Sequence, residues 1–134
     1  MQKKRRTLVT AIAITPLAAC QSTLPFPKQQ KPMYGLITKI NAKLGQGSIL
    51  APILLQATQA MPGCLSYVVA ADPTNSDALW ITEVWDSAES HKASLNLPAV
   101  KAAMQAGRPL ISGFGERFET QPLGGFGTRL TQGH

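Results

Sequence analysis

Two cysteines and two histidines in 134 residues leave little material for metal or disulfide chemistry. His91 and His134 stand far apart, and Cys64 has no cysteine or histidine at ligand spacing, so no metal site is legible. There is no G-x-S-x-G elbow, no glycine run leading to a P-loop lysine and no dinucleotide fingerprint. The GGFG at 124–127 reads as a flexible surface loop rather than a phosphate cradle, and no cofactor is expected. Repeats at a solenoid period are also missing. Acidic residues are few: 7 against 13 basic, a net charge of +6. Four of the basic residues, Lys3, Lys4, Arg5 and Arg6, crowd the amino end, and six minus four leaves about +2 for the rest. With no basic stripe interleaved with aromatics, nucleic acid is not an expected partner.

The amino end itself is MQKKRRTLVTAIAITPLAAC. A basic start, a short apolar run from Leu8 to Ile14 and small residues before Cys20 are the parts of a signal peptide, and the run is too short for a stable membrane span. Leu17-Ala18-Ala19-Cys20 resembles the lipobox of bacterial lipoproteins, where cleavage precedes the cysteine and acyl chains are attached to it; the alternative is a plain signal peptide with a chance cysteine. The paired arginines resemble a twin-arginine export signal in part, and Sec export fits as well. The expected organisation is a signal peptide over 1–19, lipidation at Cys20, a tether over 20–32, a domain over 33–120 and a glycine-rich tail over 121–134. Each buried methylene contributes about 0.8 kcal/mol to membrane attachment, so several chains on Cys20 anchor firmly. Gln21 in place of an aspartate directs the expectation to the periplasmic face of the outer membrane. With Cys20 acylated, Cys64 has no partner within the chain and is expected as a buried thiol at the start of a core strand.

Roughly a hundred residues remain for one core. YGLITKINAK, 34–43, predicts a first strand, broken by Gly45 and Gly47. A helix follows, with Ile49, Ile53, Ala57 and Met61 on one stripe, Ser48 as its cap and Pro52 tolerable only near its first turn. Pro62-Gly63 ends it. LSYVVAAD (65–72) and ALWITEVW (78–85) predict a hairpin around DPTNSD. Asp86 and Glu89 open a short helix, a second runs from Pro98 with Gly107 as its stop, and LISGFGERFET is the last strand. The order strand, helix, strand, strand, helix, strand is the split β-α-β pattern of α+β, ferredoxin-like folds. Leu79, Ile81 and Trp85 on one face of the third strand and Trp80 and Val84 on the other make both faces apolar. Two helices cover one face, so the other is expected to be covered by a second subunit, a homodimer joined sheet to sheet.

The chemistry-bearing stretch is ITEVWDSAESHKASL, residues 81–95. Ala88, His91 and Leu95 share a helix face, which turns His91 inward. Trp85 shares a sheet face with Glu83. An imidazole beside a carboxylate and an indole suits a general base next to an aromatic substrate. The same residues also suit a plainer reading, a core-edge histidine on a backbone carbonyl with Trp85 filling a strand-helix junction.

PGCLSYVVAADPTNSDALWITEVWDSAESHKASLNLPAVKAAM followed by RPLISGF resembles the antibiotic biosynthesis monooxygenase domain family across about residues 33–120, through GCLSY, the E-x-W ending the third strand and the helix after it. The resemblance implies a dimeric α+β barrel. In enzymatic members it implies oxidation of phenols or quinols by molecular oxygen without flavin or metal. Trp85 and His91 are then the catalytic candidates, and Glu83, Ser94 and Arg108 the substrate-binding ones, Arg108 for an anionic oxygen. The chain departs from the polyketide-oxidising pattern with Ile81 in place of an asparagine and His91 in place of a tyrosine. Ser94 stands where many members have a histidine. Haem-degrading relatives have a tryptophan there and an axial histidine about where Met104 falls, which disfavours haem degradation. Two further readings stay open: a dimeric binding module that has lost the chemistry, and an envelope interaction protein.

Overall fold

The computed structural model describes residues 31–128. The expected signal peptide, Cys20, all but the last two residues of the expected tether, the end of the tail and His134 lie outside the described residues.

Strand β1 (Tyr34–Ala42) alternates along its length, with Leu36, Thr38, Ile40 and Ala42 buried on one face. Helix α1 (Gly47–Gln56) follows a turn through Gly45. Ser48 does not cap it. The N-cap position is Gln46, and the orphan amides of Gly45 and Gly47 donate to Asp77 at 2.9 and 3.0 Å. This cap comes from thirty residues downstream and is invisible to local spacing. The amides that Asp77 accepts hold its carboxyl below the ordinary carboxylate range. The buried side of α1 also differs from the expected stripe. Gly47 and Leu50 are buried and Leu54 packs on the core, whereas Ile49 is exposed. Gly47 lies so close to the Ser76 carbonyl that a Cβ would collide with it, and this close approach rotates the helix about one residue from the Ile49 stripe. The chain tightens into a 3₁₀ turn at Ala57–Gln59, so Ala57 and Met61 do not prolong a helical face. Pro52 stands past the first turn, on the exposed side, where the carbonyl it leaves unbonded meets water.

Strands β2 (Cys64–Asp72) and β3 (Asn75–Trp85) pair as a hairpin. β3 begins three residues earlier than the alternation suggested, because Asp72 closes a tight turn at Pro73-Thr74. Its carboxylate accepts from the Thr74 amide at 2.9 Å and hydroxyl at 2.7 Å, from Trp80 Nε1 at 3.0 Å, and pairs with Lys39 Nζ at 3.0 Å. Helix α2 (Ala88–Ser94) is capped by Ser87, which accepts from the Ser90 amide, rather than by Asp86. Helix α3 (Pro98–Gly107) starts on its proline and passes through a 3₁₀ turn, Arg108–Leu110, into β4 (Ile111–Thr120).

The four strands form one antiparallel sheet in the order β2-β3-β1-β4, the ferredoxin-like arrangement. Leu50 drops from α1 onto Ile40, Ala42, Leu79 and Ile81 to make the core. Burying a side chain of this size contributes about 1.5–3 kcal/mol. The register sets Thr38 opposite Ile81 and Leu36 opposite Glu83, so the odd residues of β3 lie on the helix side. The reverse side carries Ile37, Trp80 and Val84, with Val68 50% and Phe118 54% exposed.

Candidate active site

The end of β3 and the first turns of α2 bring three of the expected side chains together. Trp85 is 1% exposed, and its Nε1–H donates to Glu83 Oε2 at 2.8 Å. His91 Nε2 lies 3.7 Å from the same oxygen, with the two side chains 17% and 11% exposed. The His91 ring meets Trp85 edge-on, with centroids 5.5 Å apart, and lies 5.0 Å from Tyr34 on its other side. The alternation of β3 explains why Glu83 and Trp85 point the same way, and the Ser87 cap fixes where α2 starts and hence which way His91 faces. Burial pushes the Glu83 carboxyl up from its ordinary value; the Trp85 hydrogen bond and then the nearby His91 and Arg117 side chains oppose this. A carboxyl shifted this way takes up and releases protons closer to neutrality.

Ser94 is buried, but its hydroxyl donates back to the His91 carbonyl at 2.7 Å, within its own helix turn. Arg108 is exposed and stands apart from the cluster, at the rim of a cavity of about 500 Å³ between the helices and the sheet. The volume falls in the roughly 300–1,000 Å³ range of small-molecule sites. Ile40, Leu54, Val100, Met104 and Phe114 give it apolar walls; Trp85 and His91 are not among them. The two rings thus converge on each other and on Glu83 rather than on the cavity.

Tyr67, which sequence reasoning passed over, joins the two regions. It lines the cavity and stands opposite Glu83 in the β2–β3 register. Burial, then the charges of Glu83 and Cys64, push its hydroxyl far above the ordinary tyrosine value, so it is held as a donor. The alternation of β2 gives Tyr67 a face, but only the hairpin register puts it on the same face as Glu83. Tyr34 was passed over too; burial and the neighbouring Glu119 raise its hydroxyl. Cys64 is half-buried rather than buried, because β2 lies at a sheet edge. Burial and Glu83 push its thiol up, which makes it a poor nucleophile near neutrality. Among the described residues no three His, Cys, Asp or Glu side chains gather as metal ligands.

A four-stranded antiparallel sheet with helices on one side, an open cavity between them and a buried carboxyl, imidazole and indole in the same layer define the class of ferredoxin-like α+β domains. The comparisons identify the member family. The sequence model of the antibiotic biosynthesis monooxygenase family matches residues 33–106, and this chain belongs to that family. It is 59% identical to a proposed antibiotic biosynthesis monooxygenase of Chloroflexus aurantiacus J-10-fl, over 72% of this chain and 99% of that one, with a TM-score of 0.70. A second such protein, from Deinococcus radiodurans, is 25% identical over 69% of this chain and 95% of its own, with a TM-score of 0.58. A third, from Caulobacter crescentus CB15, shares the fold at 18% identity, 71% and 93% coverage and a TM-score of 0.64. No curated protein matches the chain.

Proposed function

We propose that this protein is a monooxygenase that oxidises a small phenol or quinol with molecular oxygen and no resident cofactor. The cavity binds the ring among apolar side chains, and Tyr67 donates to the oxygen that becomes anionic as the substrate loses its proton. The Glu83–His91 pair behind Tyr67 is the proton acceptor. The deprotonated substrate then reduces oxygen; one oxygen atom ends as a new carbonyl on the ring and the other leaves as water with the two hydrogens lost by the substrate. The observation that carries this reading is the adjacency of an apolar cavity of about 500 Å³ to a buried carboxyl with a raised pKa, through Tyr67. The half-exposed apolar residues on the reverse side of the sheet support a homodimer, and the amino-terminal sequence supports export and anchoring to the envelope membrane through Cys20.

Oxygen uptake on a panel of hydroquinones and naphthols tests the chemistry. General acid–base groups contribute about 10²–10⁴-fold, so Glu83→Gln is expected to lower kcat by at least about a hundredfold and His91→Ala by less. Full activity in Glu83→Gln would remove the carboxyl from the mechanism. A second reading, a binding module without turnover, draws on the Ser94 hydroxyl and the Trp85 N–H, both already taken by internal partners. Ligands that bind wild type with no oxygen consumed would favour it.

A further inference from the structure

The mouth of the cavity carries charge of one sign only. A second hollow of about 430 Å³ adjoins the cavity, sharing Leu95, Met104 and Arg108 with it; its remaining rim includes Lys101 and Gln105. No aspartate or glutamate lines either space. Lys101, Met104 and Arg108 follow i, i+3, i+7 spacing on α3, and Arg108 keeps helical backbone angles, so the three form one stripe with Met104 between two cations. Seven residues of helix rise about 10 Å, a gap that a lysine and an arginine side chain close from both ends onto one anion above Met104. Neither Lys101 nor Arg108 takes part in an ion pair among the described residues. Both side chains are exposed, Arg108 at the carboxyl end of α3 and Lys101 in its second turn.

We infer that the ligand of this cavity is an aromatic carboxylic acid of one or two fused rings, its carboxylate held at the mouth between Lys101 and Arg108 and its rings inside, the far edge towards Tyr67. The inference rests on the reading of the cavity as the substrate site and adds to it the substrate's charge and direction of entry. Apolar walls alone bind a neutral ring equally well; a guanidinium fork and an ammonium at the rim select the carboxylate form. The arrangement also fixes orientation, because the anion cannot be buried among Ile40, Val100 and Phe114 without an unpaired charge in an apolar space.

The test compares two fluorescent probes of one ring system, 6-hydroxy-2-naphthoate, whose hydroxyl and carboxylate lie at opposite ends, and 2-naphthol, by titration against wild-type protein, the double variant Lys101→Gln/Arg108→Gln and the charge-keeping double variant Lys101→Arg/Arg108→Lys. Wild type is expected to bind the naphthoate about tenfold or more tightly than the naphthol, a preference that shrinks as salt is raised. The glutamine variant is expected to bind both alike, its naphthol affinity within about twofold of wild type and so certifying the fold, and the charge-keeping variant to restore most of the preference. Equal binding of the two probes by wild type, or a preference that survives in the glutamine variant, would overturn the inference. Binding is read without turnover, so naphthoate preference with no oxygen uptake would sink the monooxygenase reading and leave this one standing. Oxygen uptake on neutral quinols with no charge preference would do the reverse.

Discussion

Replacing Trp85 by phenylalanine probes the link on which the candidate site turns. The change keeps most of a buried ring but removes the Nε1–H, which is the donor Glu83 Oε2 accepts from at 2.8 Å. A hydrogen bond to an ionised group contributes about 1.5–3 kcal/mol and one between neutral groups about 0.5–1.5 kcal/mol. The loss therefore depends on whether Glu83 carries its charge. Burial raises the folded-state pKa of Glu83, so its protonated form is favoured on folding: that contribution is fully present below the ordinary carboxylate range and is lost as pH rises through the folded value. Without the Trp85 donor the folded value moves higher still, so the loss on raising pH, which begins at the unfolded value in both proteins, goes further. Trp85→Phe is thus expected to cost about 2–3 kcal/mol near pH 8 and about 1 kcal/mol near pH 4, on top of a constant term for the smaller ring. For a domain of this size each kcal/mol lowers Tm by roughly 4–8 °C. Urea unfolding at the two pH values measures the difference, and the same substitution in a Glu83→Gln background should lose its pH dependence. An equal penalty at both pH values would show that the indole fills space and does nothing for the carboxyl.

Asp72→Asn is expected to lower the melting temperature at neutral pH, because Lys39, Trp80 and Thr74 all converge on the carboxylate. The Thr74 hydrogen bonds, with Lys39 and Trp80, hold Asp72 well below the ordinary carboxylate range, so its contribution is present above the unfolded value and fades as pH falls through the folded one. Thermal melts of wild type and variant should converge only in strong acid, and a gap unchanged by acid would refute the pairing. Gly63→Ala should cost about 1–3 kcal/mol, since φ is +82° and a Cβ would come within 2.5 Å of Ser90 Oγ on α2. An unaltered melting temperature in that variant would show that α2 is free to shift.

The strands were legible because alternation in 34–42 and 78–85 is regular enough to fix which face each side chain takes, and the order of elements along the chain implied the ferredoxin-like class. That parity also put Glu83 beside Trp85, and the short helix after it turned His91 towards them. What stayed hidden depends on partners distant in sequence. Asp77 caps α1 from the neighbouring strand, and no spacing near Ser48 announces it. The side of α1 that packs inward was decided by the close approach of Gly47 to Ser76, a steric fact with no periodic signature. Tyr67 was missed because its importance lies in a cross-strand register, which a single strand cannot state.

Separation of the cavity from the acid–base cluster has a chemical logic. A base that lined the apolar space would meet water whenever the site stood open, and its pKa would relax towards the ordinary value as solvent replaced the ligand. Glu83, paired across β2–β3 with Tyr67 and not among the cavity walls, is buried away from that space, with the Trp85 donor holding back the upward shift that burial alone would give. In the proposed mechanism the hydroxyl of Tyr67 is the group that meets the substrate, and its raised pKa keeps it protonated and able to donate. Such a site is sensitive to the strand register above all: a slip of one residue between β2 and β3 would move Tyr67 to the reverse side of the sheet, away from both the cavity and Glu83.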